Sequence, residues 1–276
     1  MKIFAFSDEA APDLGRQIAA MKRNGLDGTE IRGVDGRSIT AFTVREAVEV
    51  LHRLKDNGLS VWSVGSPLGK IPLDGGDFAA HLDLLRHTLE IADALECANL
   101  RIFSFYLPEG AEPEDCRNEV VSRLGQMADV AEGSGISLCH ENEKGIYGDS
   151  ALRCADLLDA VPSLRCVFDP ANFIQCGQDI PGAWDLLGSR VFYMHIKDAL
   201  ADGTVVPAGH GTGCIADLLR SYAAHGGKVV TVEPHLRVFE GFASLERDAR
   251  SALPEGVYPT ADDAFDTACS ALKVLL

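Results

Sequence analysis

Four short segments in the second half of the chain, CHENE, FDPAN, MHIKD and VEPH, each carry a residue able to hold a cation or move a proton. The residues are Glu141, Asp169, His195 and Glu233. Three carboxylates and an imidazole brought to one place repel each other unless a counterion joins them. An oxygen-rich donor set with a single imidazole suits Mn, Mg, Co or Zn, so one divalent metal ion is the expected cofactor. A lone carboxylate at the end of a strand is ordinarily a solvated loop residue. Agreement among four consecutive elements is what argues for a site, and it holds only if those elements converge.

The elements are legible as eight short apolar or β-branched runs, each followed by a helical pattern or a loop leading into one. They are Ile3–Ser7, Gly28–Arg32, Ser60–Gly65, Leu100–Tyr106, Ile136–Glu141, Arg165–Asp169, Val191–Lys197 and Val229–Pro234. Between them LGRQIAAMKRNG and FTVREAVEVLHRLKDNG carry apolar residues at helical spacing and stop at Gly25 and Gly58. The last helix is expected to start at Thr260, with Asp263 in a capping-box-like position. Strands alternating with helices imply parallel βαβ units. Eight of them in 276 residues, with no linker or composition break, fit a single-domain (β/α)8 TIM barrel over residues 1–276 better than an open sheet.

In such a barrel the chemistry belongs at the carboxyl ends of the strands, where the four segments fall. Side chains two apart share a face of a strand. Tyr193, His195 and Lys197 therefore point together, as do Thr231, Glu233 and His235. Cys139, Val167, Tyr193 and Thr231 should form the layer just below the site, and His140 should face the helices. Asp169 and Glu233 both precede prolines, which hold the preceding residue extended.

At these residues the chain resembles the xylose isomerase-like TIM-barrel superfamily, in its sugar phosphate isomerase/epimerase branch. The ligand order Glu, Asp, His, Glu from strands five to eight is met by Glu141, Asp169, His195 and Glu233. HIKD is a common form of the histidine motif, and GHGTG resembles the G-x-G segment before the next helix. The resemblance implies that Glu141 and Glu233 also shuttle the proton through a metal-stabilised enediolate. It places Asn172, three residues after the aspartate, near the substrate. It implies a metal-dependent sugar or polyol isomerase or epimerase, with a dehydratase of a keto-polyol such as an inosose as the alternative use of the same groups. Two features of the ketose 3-epimerases are missing. Position 147 is Tyr where they carry an acid, and no arginine closely follows the histidine.

Further substrate-binding candidates are Lys197, His210 between two glycines, His235 on the face of Glu233, and Glu30 from the opposite side of the barrel. Trp62 could stack on a sugar and Ser66 could supply a hydroxyl. The glycines of GHGTGCIADLL also have the composition of a phosphate loop before a helix. Lys+Arg of 25 against Asp+Glu of 41 give a net charge of −16, which argues against a nucleic-acid partner and a multi-metal phosphodiesterase. No apolar run approaches the ~20 residues of a membrane span. The eight scattered cysteines read as reduced thiols of a cytoplasmic protein. The expected partner is a small sugar or polyol; a non-catalytic metal- or sugar-binding barrel and a homo-oligomer stay open.

Overall fold

A computed structural model describes residues 1–239, 253 and 256–276. Eight strands close a parallel barrel: β1 (Lys2–Ala5), β2 (Gly28–Ile31), β3 (Ser60–Gly65), β4 (Asn99–Ile102), β5 (Ser137–Glu141), β6 (Arg165–Phe168), β7 (Val191–Ile196) and β8 (Val229–Val232). Each pairs with its sequence neighbours, and β8 returns to β1 to close the ring. The helices around it are α1 (Leu14–Arg23), α2 (Val44–Lys55), α3 (Phe78–Ala94), α4 (Pro113–Ala131), α5 (Ala151–Ala160), α6 (Pro170–Gln175), α7 (Ile180–Leu187), α8 (Ile215–Ala224) and α9 (Ala261–Leu275). The expected (β/α)8 TIM barrel is therefore what forms. No helix among the described residues is long and apolar enough to cross a membrane.

Local chemistry explains the helix starts. Asp13, Thr43, Asp77, Ser150, Asp169, Asp179 and Thr260 each cap a helix by accepting a backbone N–H from its first turn. Thr43 with Glu46, and Thr260 with Asp263, complete full capping boxes. Most of the helices bury an apolar stripe against the outward faces of the strands. The inward faces form a separate small core of Phe4, Cys139, Val167, Tyr193 and Val229, with Trp62 and Phe192 packed against it. Thr231 is fully buried in register with His195 and Phe4. The alternation anticipated from the sequence thus builds a plugged floor beneath the carboxyl ends.

The fourth strand is shorter than its apolar run. β4 stops at Ile102, and Phe103 to Tyr106 turn away to pair with the loop after β3: Phe103, Phe105 and Tyr106 donate backbone N–H bonds to Leu68, Gly69 and Ile71. Phe105 takes a left-handed backbone, φ 64°. Gly69 is required there because any Cβ would lie 2.1 Å from the Phe103 carbonyl oxygen.

That loop is also held by His81 of α3, whose Nε2 accepts the Gly69 N–H at 2.7 Å. The acceptor must be unprotonated, and burial followed by the charge of Arg123 lowers its pKa to about 4. An unfolded histidine titrates near ~6.5. The unfolded chain therefore takes up a proton in a window where the folded one does not, so this stability is complete above that pH and is lost on descent toward about 4. Thermal melts between neutral pH and pH ~4.5 should show a steeper acid loss for the native chain than for His81→Gln, which keeps an acceptor without the titration. Equal slopes would remove His81 from the account.

Candidate metal centre

β5 to β8 deliver their groups to the same end of the barrel. Glu141 is the last residue of β5. Asp169 follows β6 as the cap of α6, its Oδ1 accepting the Asn172 N–H at 2.9 Å, with Pro170 in the first helical turn. His195 lies inside β7, and Glu233 follows β8 with its N–H bonded to the Ile196 carbonyl. One potential ligand atom from each of the four lies within 4.8 Å of every other, and all four residues are buried.

The donor set fits a divalent ion. Four carboxylate and imidazole atoms converge where water is excluded, and buried carboxylates are stable only when paired or coordinated. Asp169 Oδ2 is buried and accepts no hydrogen bond. Lys197 Nζ stands 3.1 Å from it but outside hydrogen-bonding geometry, and donates instead to Glu233 Oε2 at 3.1 Å.

Each of the four residues has a distinct set of partners. Glu141 Oε2 accepts from Arg101 at 2.9 Å, while Oε1 lies 3.0 Å from His195 Nδ1 and accepts from Asn172 at 3.3 Å. Glu233 Oε1 is held more loosely, 3.4 Å from His235 Nδ1 and 3.6 Å from an Arg32 nitrogen. Burial opposes ionisation of Glu141, but His195 and Arg101 outweigh it and hold the carboxyl below its usual range. Glu233 is likewise held well below that range against the effect of burial, through Lys197, His235, His195 and Arg32. Asp169 goes the other way, pushed up to about 7 because burial exceeds the pull of Lys197.

The candidates named from sequence divide. Lys197, Asn172, His235 and Glu30 all touch one of the four residues or its immediate partner. Asn172 bonds Glu141, and its own Oδ1 is buried without a partner. His235, at φ 43°, lies 3.1 Å from Glu9 Oε1 as well as near Glu233. Three others lie elsewhere. Trp62 packs against Phe4 and Phe192 in the barrel floor, where it is the extra residue between Val61 and Ser63 in the shifted pairing of β2 with β3. The Ser66 hydroxyl is used internally, donating to the Arg101 carbonyl at 2.6 Å and accepting from Leu68 N–H. His210 is exposed on its loop.

The glycines around His210 serve another purpose than the phosphate cradle their composition suggested. The backbone N–H groups of Gly209 and Gly211 donate to Asp198 Oδ2, and those of Ala199 and Gly213 donate to Oδ1, all within 3.0 Å. The anion they bind is the chain's own.

The residue-by-residue reading of the sequence missed Arg101, Arg32 and Glu9. Arg101 pairs in register with inward-facing Cys139, and its guanidinium lies over the Phe6 and Phe103 rings while it neutralises Glu141. Arg32 binds Asp8 and Glu9, and Glu9 in turn accepts the His235 N–H at 2.7 Å. A charged residue inside the apolar run NLRIF was the available signal for Arg101.

A family model described as xylose isomerase-like TIM barrel matches residues 18–252. No curated protein sequence matches the chain. Among solved structures, an IolI protein with a bound zinc atom superposes with a TM-score of 0.75 at 17% identity, covering 100% of this chain and 98% of the other. A D-psicose 3-epimerase studied with D-fructose gives 0.76 at 17% identity, covering 99% and 98%. The probable 3-DHS dehydratase AsbF from Bacillus anthracis gives 0.75 at 15% identity, covering 99% of both chains.

Proposed function

Because the chain belongs to the xylose isomerase-like TIM barrel family, we propose that it is a divalent-metal-dependent sugar or polyol isomerase or epimerase that moves a proton next to a carbonyl. The observation that carries this reading is the convergence of Glu141, Asp169, His195 and Glu233 within 4.8 Å at the carboxyl ends of four consecutive strands. These four would hold the ion, which when bound would polarise the carbonyl and hydroxyl oxygens of a substrate and acidify the neighbouring C–H. Glu233 would then take the proton and return it. Lys197, against Glu233 and Asp169, would hold a substrate oxygen, and Asn172 would present its unpartnered Oδ1 to a hydroxyl. Solved relatives whose descriptions name a binding zinc atom, D-fructose and D-tagatose support the metal and the substrate class. A cytoplasmic setting agrees with eight free cysteines.

A second reading, a dehydratase of a keto-polyol, draws on one specific feature. Both oxygens of Glu141 are engaged by Arg101, His195 and Asn172. Epimerisation by two opposed bases needs an oxygen of Glu141 held as loosely as Glu233 Oε1, whose nearest cations stand 3.4 and 3.6 Å away, whereas elimination and one-base isomerisation need only Glu233.

The test is turnover on a panel of ketoses, inososes and sugar acids, using chelator-treated protein resupplied with Mn, Co, Mg or Zn. Metal-dependent conversion of one panel member, with solvent deuterium appearing at carbon, is the expected result. The product distinguishes isomerisation, epimerisation and loss of water. Metal binding without turnover of any member would favour a non-catalytic binding barrel.

A further inference from the structure

We infer that Glu30 is a positioning residue of the metal site, fixing one nitrogen of the His195 ring so that the other is left for the ion; this rests on the divalent-metal reading above. An imidazole ligates through one nitrogen, and what the second nitrogen bonds decides which one is available. His195 Nδ1 faces the ligand cluster, 3.0 Å from Glu141 and 3.7 Å from Glu233. Nε2 faces away, 3.0 Å from Glu30 Oε2. The ring is held edge-on by Phe6 at 5.2 Å and Tyr193 at 5.5 Å, so it cannot trade one nitrogen for the other without repacking the barrel interior.

Glu30 is itself built to be still. Its second oxygen accepts the Tyr193 hydroxyl at 2.9 Å, and that hydroxyl also lies 3.3 Å from Ser63 Oγ. With both oxygens engaged, Glu30 has little capacity left for the substrate it was expected to bind. It is completely buried on β2, and His195 is its only ion-pair partner among the described residues. A carboxylate is costly to bury, and here its one basic partner is a metal ligand. The pairing of β2 with β3 shifts register between Thr29 and Glu30. The extra residue is Trp62 on β3, since Thr29 pairs with Val61 and Glu30 with Ser63; such a bulge brings Ser63 inward to the Tyr193 hydroxyl and commonly lies beside active sites. Burial and hydrogen bonding therefore both direct this carboxylate at the rear of one histidine.

The experiment is calorimetric titration of chelator-treated protein with Mn2+, and separately with Co2+, for the native chain, Glu30→Gln, Glu30→Asp and Asp169→Asn. Outer partners of ligating histidines are typically worth ~10–100-fold in metal affinity, so Glu30→Gln should weaken binding by that factor. Glu30→Asp keeps the charge but shortens the reach, and should fall between Glu30→Gln and the native chain; it also serves if the glutamine variant does not fold. Asp169→Asn, which loses a ligand, should bind more weakly still. Melts of the metal-free proteins separate the roles. A purely structural Glu30 would lower the melting temperature and leave the affinity of the folded protein unchanged. Native binding with both Glu30 variants within about threefold of it would overturn the inference and leave the metal site standing, since the expected loss is ~10–100-fold. Absence of binding by the native chain would overturn both.

Discussion

Glu233→Gln should lose about 10²–10⁴-fold in the rate at which substrate hydrogen exchanges with solvent, the range by which a positioned general base accelerates proton transfer. The substrate is whichever panel member turns over, and the readout is deuterium uptake at carbon in D2O. The glutamine keeps the volume and one oxygen, and the cations around it keep other anions, Asp169 for Lys197, Asp8 and Glu9 for Arg32 and Glu9 for His235, so the fold and part of the metal affinity should survive. Glu141→Gln should behave differently. Its oxygens are fully engaged, and neutralising it leaves Arg101 buried without its anion. Breaking a buried ion pair from one side costs ~3–5 kcal/mol, so that variant should first appear as a stability and metal-binding defect. Exchange that persists at the native rate in Glu233→Gln would remove Glu233 as the base. Equal, stability-independent loss of exchange in both variants would restore a two-base epimerase.

The contrast between these two glutamates shows where sequence reading was strong and where it was weak. Glu141, Asp169, His195 and Glu233 were visible because strand periodicity and the barrel topology are short-range regularities: once eight strands are counted, parity and strand end locate each side chain. His140 was correctly turned outward by the same parity and meets Ser104 there. Partners supplied across the barrel were harder to see. Arg101 lies 40 positions from Glu141, and Glu30 lies 165 from His195. Nothing local in NLRIF or GTEI says which ion or ring their charges will meet. Trp62 shows the opposite failure. A tryptophan near a strand end looks like a sugar platform, yet here it is the extra residue of a strand irregularity that no local signal announces, and it packs in the floor against Phe4 and Tyr193. The fourth strand was read too long because Phe103 to Tyr106 are as apolar as a strand, while their backbone pairs with the loop after β3.

Asp198→Asn should be among the most destabilising conservative substitutions in the chain, by about 3–6 kcal/mol. The estimate counts two hydrogen bonds to a charged acceptor at about 1.5–3 kcal/mol each. Oδ1 accepts from Ala199 and Gly213, and Oδ2 accepts from Gly209 and Gly211. Whichever way an asparagine is turned, its NH2 confronts two backbone donors and satisfies neither. The loop cannot simply reorganise. A Cβ on Gly211 would lie 2.4 Å from Asp198 Oδ1 and one on Gly213 2.6 Å, so the backbone is already wrapped as closely as atoms allow. Asp198 directly follows Lys197, and the strain of an unmatched loop would pass to the ammonium that bridges Asp169 and Glu233. Urea denaturation should therefore show a lower midpoint with an unchanged slope, and on the proposed function the metal-supplemented protein should lose turnover as Lys197 shifts. A midpoint change worth less than about 1 kcal/mol, one neutral hydrogen bond, would mean that the glycines are held by something other than this carboxylate.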